Sequence, residues 1–147
     1  MLERIRNLRK ERYLNGLINR GLTLGKDVYL NDGFFLDPSH VELITLEDKV
    51  VFGPSVTILA HDASTKKVIG KTLLGKVTVK KNAFIGARSI VLAGVTIGEN
   101  AIVGANSTVT KDIPANEVWA GSPAKKIMDT KSYKEKLEKL PKDLFVD

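Results

Sequence analysis

The stretch that decides the architecture is "VKKNAFIGARSIVLAGVTIGENAIVGANSTVTKDI", residues Val79–Ile113. Its aliphatic residues fall at Val79, Ile85, Val91, Ile97, Val103 and Val109, each six after the last. Four positions after each stand Ala83, Ser89, Val95, Ala101, Ser107 and Ile113, most of them small, and glycine follows Ile85, Ile97 and Val103. A helix cannot use a period of six, because each step rotates the apolar residue off its face. A hairpin sheet wants a period of two. A β-solenoid does use six: each hexad is a short strand plus a turn, three hexads close a triangular coil, and stacked coils share a core that no single coil could bury.

The same register extends upstream. Leu24, Leu30 and Leu36 are six apart, with Val28 and Phe34 at the second position; so are Leu46, Phe52 and Ile58, with Val50 and Val56. Between Leu36 and Leu46 the phase slips by ten residues, which reads as a two-residue deletion from two hexads. Between Ile58 and Val79 the gap is 21, so the polar, lysine-rich stretch 61–76 is expected to leave the prism as a mobile loop. Loops on a rigid scaffold are where binding chemistry concentrates. The expected fold is an all-β solenoid of hexapeptide repeats with short terminal helices. Residues 1–22 form an N-terminal helical cap, 23–127 the solenoid with its excursion at 61–76, and 128–147 a C-terminal helix and tail. Leu2, Ile5, Leu8, Leu14, Leu17 and Ile18 give the first helix, ended by Gly21; Ser132 and Glu135 stand in capping-box spacing at the start of the last, which Pro141 stops. The two helices are expected to close the open ends of the coil stack, where bare edges invite aggregation.

Composition narrows the function. The chain has 147 residues, no cysteine and a formal charge of +6. Seven Lys/Arg against two Asp/Glu in residues 1–26 carry most of the excess, while residues 27–110 balance at eight and eight. A local basic helix reads as a solvated face packing on a neighbour, not as a nucleic-acid surface. No segment is apolar enough to span a bilayer and the basic N-terminus lacks a secretory apolar core, so a cytoplasmic protein without membrane insertion is expected. Only two histidines, His40 and His61, are present. A zinc site of three imidazoles is therefore out of reach, and no metal is expected.

"IGARSIVLAGVTIGENAIVGANSTVTKDIPANEVWAGSPAKKI" (Ile85–Ile127) resembles the C-terminal signature of the hexapeptide-repeat acetyltransferases, in particular their galactoside and maltose O-acetyltransferase branch. "DPSHVELITLEDKVVFGPSVTILAHDAST" (Asp37–Thr65) resembles the polysaccharide-biosynthesis members of that branch. The resemblance covers residues 24–127 and implies a left-handed parallel β-helix, a homotrimer with sites between subunits, and acetyl-CoA as donor. It makes His61 the general base that takes the proton of an acceptor hydroxyl; imidazole is the side chain best poised for that at neutral pH. Asn31 and Asp37 match acceptor-binding positions, and Asp62 is placed with them, beside the base. Ala87, Ala105, Thr110, Lys111 and Lys125 match donor-binding positions, the alanines admitting the pantetheine arm and the lysines meeting phosphates. His40 is read as structural. Phe84 stands where relatives often carry tryptophan, and Trp119 where they carry a small residue.

The function this implies is O-acetylation of a sugar hydroxyl, in surface polysaccharide or lipopolysaccharide synthesis. The short helical cap suggests a larger acceptor such as a nucleotide- or lipid-linked sugar. N-acetylation of an amino sugar is the alternative chemistry, and a non-catalytic trimeric scaffold is the alternative of another class.

Overall fold

The computed structural model describes residues 1–146, except for the side chains of residues 2, 3, 5 and 6, so the apolar positions Leu2 and Ile5 lie outside the described residues. Helix α1 (Leu2–Asn19) leads into a stack of triangular coils. The first coil holds β1 (Thr23–Leu24), β2 (Tyr29–Leu30) and β3 (Phe35–Leu36). The second holds β4 (Ile44–Leu46), β5 (Val51–Phe52) and β6 (Thr57–Ile58). An excursion follows, built from β7 (His61–Asp62), α2 (Thr65–Ile69) and β8 (Leu73–Leu74). The third coil is β9 (Val77–Val79), β10 (Phe84–Ile85) and β11 (Ile90–Val91); the fourth is β12 (Thr96–Ile97), β13 (Ile102–Val103) and β14 (Thr108–Val109). A hairpin of β15 (Glu117–Gly121) and β16 (Ala124–Asp129) and the helix α3 (Thr130–Leu137) complete the chain.

Stacking gives three parallel faces: β1-β4-β9-β12, β2-β5-β10-β13-β15 and β3-β6-β11-β14. Every residue of the six-residue series points inward. Leu30, Phe52, Ile85, Val103 and Trp119 are in register on the second face, and Leu36, Ile58, Val91 and Val109 on the third. These columns are buried and form one continuous cluster with Val50, Val56, Ala83, Val95 and Ala101.

The corners explain the polar and small residues. Each turns the chain through a left-handed backbone conformation, at Asp27, Lys49, Asn82, Asn100 and Asn116 on one edge and Gly33, Ser55, Arg88 and Asn106 on the next. Asparagine tolerates that region better than most side chains. Along the first edge the Asn82 amide donates to Asn100 Oδ1 (3.2 Å) and the Asn100 amide to Asn116 Oδ1 (3.0 Å). Glycines after the inward aliphatics allow coils to touch: a Cβ on Gly86 would sit 2.4 Å from the Ala105 backbone nitrogen.

Two expectations about the register change. Leu36 and Leu46 occupy consecutive inward positions, one on the third face and one on the first. The ten-residue interval is therefore one corner enlarged by four residues, not a deletion from two hexads; a 3₁₀ turn, Val41–Leu43, takes up the extra length. The 21-residue interval enlarges the same corner of the next coil, and it is a hydrogen-bonded hairpin instead of an open loop. β7 and β8 pair antiparallel, and Thr65 Oγ1 donates to the carbonyls of Asp62 (2.8 Å) and Lys71 (2.7 Å) and accepts from the Leu73 N–H (2.9 Å).

The two ends differ from each other. Leu14, Leu17 and Leu22 join the core at the first coil, so α1 packs there. At the other end the β15–β16 hairpin covers the last coil over Trp119, while no α3 residue is buried. The α3 cap is Asp129, which accepts from the Ser132 N–H (2.7 Å) and hydroxyl (3.0 Å), so Ser132 sits inside the helix and is not its cap. Among the described residues no helix is long and apolar enough to cross a membrane.

Replacing Gly86 with alanine puts a Cβ against backbone that the neighbouring coil cannot move. The expected loss is about 1–3 kcal/mol of unfolding free energy, read as a lower urea midpoint at unchanged slope.

Candidate active site

The enlarged corners of the first two coils stack, and the site is where they meet. The first insertion carries Asp37, directly after the inward Leu36, and the second starts at His61. Asp37 is 1% exposed. Its Oδ1 accepts from the Ser39 N–H (3.1 Å) and its Oδ2 from the Ala60 N–H (3.0 Å) and from His61 Nδ1. The residue before His61 is pinned on its other side too, since the Ala60 carbonyl accepts from the Gly75 N–H (2.9 Å).

Burial pushes the Asp37 carboxyl up, but the His61 hydrogen bond, the two backbone N–H groups and the nearby imidazole charge outweigh it, and the carboxyl is held below its ordinary range. Asp37 is therefore an anion at neutral pH. An ionised carboxylate only accepts, so His61 Nδ1 is the donor, and in the neutral ring the lone pair is on Nε2. The ring is fixed in place and tautomer, and 30% of its side chain is exposed. This arrangement can take a proton from a group in front of Nε2 and spread the resulting positive charge toward a buried anion.

Asp37 is thus turned inward onto His61, which differs from its expected place on an acceptor surface. Asp62 makes no hydrogen bond to the ring among the described contacts: its Oδ1 accepts from the Ser64 N–H (2.8 Å), and hydrogen bonding to the Ser64 side chain and backbone holds its carboxyl below the ordinary range. It still lines, with His61, a recess of about 360 Å³ walled by Leu59, Leu73, Leu92, Ala93 and Thr110. Asp37, His61, Asp62 and Thr110 therefore share one edge of the prism.

Asn31, Ala87 and Ala105 stand on a different edge. Asn31 N–H donates to the Phe52 carbonyl (3.2 Å), Asn106 N–H to the Ala87 carbonyl (2.8 Å), and a Cβ on Gly53 would meet the Ala87 nitrogen at 2.6 Å. They form a column of small residues at the corner between the second and third faces. The Asn31 Oδ1 accepts from the Asp32 N–H (3.2 Å), so part of its side chain closes its own turn. The two edges are separated by the third face and do not meet within one chain. Lys111 lies with its Nζ 5.4 Å from the centre of the Trp119 ring at the far end of the prism. Lys125 is exposed on β16, opposite Ala120.

His40, read as structural at a corner of the slipped segment, stands in that enlarged corner: its ring packs edge-on against His61 with centroids 5.4 Å apart, and its Nδ1 lies 3.4 Å from Glu42 Oε1. The signal was available, since "DPSH" falls in the insertion one coil below His61.

Acidification should expose the Asp37 contact. A carboxyl whose folded pKa is depressed adds stability above its unfolded pKa of ~3.9, lost as pH falls through the folded value. Urea midpoints of the wild type should therefore fall from about pH 4 downward, and Asp37→Asn should show a lower midpoint at neutral pH with a flatter acid limb.

Comparison with known proteins agrees with this architecture. Residues 76–111 match the model of the bacterial transferase hexapeptide family (six repeats). Protein CapG of Staphylococcus aureus is 42% identical over 103 residues, covering 67% of this chain and 60% of CapG, so the chain spans well under two thirds of that relative. The structure of a maltose O-acetyltransferase from Clostridium difficile 630 superposes with a TM-score of 0.62 at 32% identity, over 74% of this chain and 59% of that one. A hexapeptide-repeat-containing acetyltransferase of Vibrio cholerae O1 biovar eltor, solved in complex with acetyl coenzyme A, gives 0.65 at 26% identity, over 75% and 61%. With its six-residue register and left-handed parallel coil, the chain carries hexapeptide repeats of the bacterial transferase type over residues 76–111 and is similar to O-acetyltransferases that share them.

Proposed function

We propose that this chain transfers an acetyl group from acetyl-CoA to a sugar hydroxyl, with His61 as general base. The observation that carries the reading is the His61 Nδ1 contact to buried Asp37, which leaves Nε2 as the one free basic nitrogen of that ring. A hydroxyl proton moves to Nε2 as its oxygen attacks the thioester carbonyl. The tetrahedral intermediate then collapses, the C–S bond breaks, and the departing sulfur takes the proton from Nε2. His61 ends neutral and coenzyme A leaves as the thiol. Asp37 acts on the ring and not on the substrate, by keeping its tautomer and stabilising the transient imidazolium.

The donor reading draws on the relatives. One is named a maltose O-acetyltransferase and another was solved with acetyl coenzyme A. Ala87 and Ala105 leave room for a pantetheine arm along a backbone-lined edge, and Thr110 stands at the mouth of the recess. Lys111 and Lys125 would meet the phosphates from the hairpin end of the prism. Asn31 would bind the acceptor. A cytoplasmic setting and a role in surface polysaccharide synthesis belong to the same reading.

The proposed assembly is a homotrimer. Asn31, Ala87 and Ala105 flank the third face on one side, and His61, Asp37, Asp62 and Thr110 on the other. A threefold arrangement with that face turned to the axis brings one copy's first edge beside the next copy's second. The outward column of the face includes Phe35 and Ile90, which are 42% and 37% exposed.

Two measurements test the reading. His61→Ala should lower kcat by roughly 10²–10⁴, the usual worth of general-base help; thiol release within a few fold of wild type would remove His61 from the role. A shared site further requires that inactive His61→Ala and inactive Ala87→Trp chains complement when co-expressed. Random mixing should then restore roughly a quarter of wild-type sites, and no recovery in a trimer shown by ultracentrifugation would confine the site to one chain.

A further inference from the structure

Two imidazole–carboxylate couples meet at this corner. In one, His61 holds Asp37 through Nδ1; in the other, His40 reaches Glu42 through Nδ1. The second couple is held from behind by the end of α1. Arg20 donates a hydrogen bond to the Pro38 carbonyl, and Gly21, at φ 108°, lies where a Cβ would approach Glu42 Cβ to 2.7 Å. His40 is therefore positioned by packing at its own turn, on Glu42 and on the His61 ring, and it leaves 30% of its side chain exposed.

With each Nδ1 engaged by a carboxylate, each ring has one nitrogen left. The ring centroids are 5.4 Å apart, so one sugar-sized acceptor can touch both rings. One base is enough to deprotonate one hydroxyl. In the neutral ring the second nitrogen of His40 can accept a hydrogen bond, and it has no partner among the described contacts.

Resting on the function proposed above, we propose that His40 is a specificity-determining residue for the acceptor. Its Nε2 accepts a hydrogen bond from a hydroxyl neighbouring the one that His61 deprotonates, so the site selects acceptors with two adjacent hydroxyls. The acceptor then enters held at two oxygens, and the reacting one is turned toward both Nε2 of His61 and the thioester. Single alcohols and acceptors deoxygenated beside the reacting position lose that hold. His40 moves no proton in this scheme.

The test is a cycle between enzyme and acceptor, read as kcat and KM from thiol release with acetyl-CoA. Methyl hexopyranosides and UDP-hexoses serve as acceptors, each beside the monodeoxy counterpart lacking the neighbouring hydroxyl. Wild type should lose about tenfold in kcat/KM on the deoxy acceptor, the scale of one good hydrogen bond. His40→Phe keeps a ring against His61 but has no acceptor nitrogen. It should lose about the same factor on the diol, mostly in KM, and nothing further on the deoxy compound. His40→Gln, which restores a hydrogen-bonding group, should recover part of the discrimination, and it carries the test alone should the Phe variant not fold by circular dichroism. Losses that multiply, so that a variant discriminates as well as wild type, overturn the inference and leave His61 in its role. Absence of discrimination in the wild type does the same. Absence of thiol release from every hydroxyl acceptor overturns the proposed function and this inference together.

Discussion

The molecule depends on the spacing between coils. Most of its strands are two residues long, and such a strand can neither pair nor bury anything unaided. It exists because the coils above and below supply the ladder at ~4.8 Å and the next inward side chain of its column. That makes a six-residue register obligatory on every face and leaves extra residues only one place to go, outward at a corner. Chain length is then added without cost to the core, provided the added residues satisfy their own hydrogen bonds. Here both additions fall at one corner, in adjacent coils. Asp37 from the lower coil and His61 from the upper are brought together by the ladder that stacks β3 on β6.

A carboxylate as buried as Asp37 is costly unless its oxygens are paired. Three donors converge on it, two of them backbone N–H groups fixed by the coil geometry. The anion is thus made tolerable by the scaffold before the imidazole arrives, and the imidazole is oriented by an anion that cannot itself turn. This is a different economy from a surface ion pair, where two long side chains lose freedom for little gain. The Asp62 contact shows the contrast: its carboxylate closes a local turn with Ser64 and makes no hydrogen bond to the neighbouring ring among the described contacts.

The prism was legible in the sequence because the inward columns are nearly pure aliphatic and the period is unbroken from Val79 to Ile113. Corner lengths were not, since a gap of ten residues is equally a short double hexad or a long single one. Only the pairing of Leu46 with Leu24 resolves which. That ambiguity hid the nearness of His40 to His61, which a correct count places one coil apart at the same corner. Asp37 was recognised as a site residue, but its direction was not, because alternation along a strand is lost at the first residue of an insertion. At the far end, the antiparallel return of β16 on β15 breaks the six-residue rule altogether and left no periodic trace. His61 was legible for two reasons at once: it ends a regular edge, and it starts the longest departure from the register.

The distribution of side chains over the edges bears on how such a scaffold makes a cleft. A convex prism with a filled interior has no internal pocket in which to hold two substrates, and its recess beside His61 is open on the outer side. The groups that lean toward chemistry sit on one edge and the small residues on another, with an outward column of Phe35, Thr57, Ile90 and Thr108 between, of which Phe35 and Ile90 are exposed. A second copy is the simplest wall for that recess. In the proposed trimer the column is covered, the two edges meet, and water is excluded where the imidazole must be most basic. On that proposal rigidity works for the reaction twice: the ladder fixes His61 within one chain, and the flat face would fix its distance to the edge of the neighbouring chain.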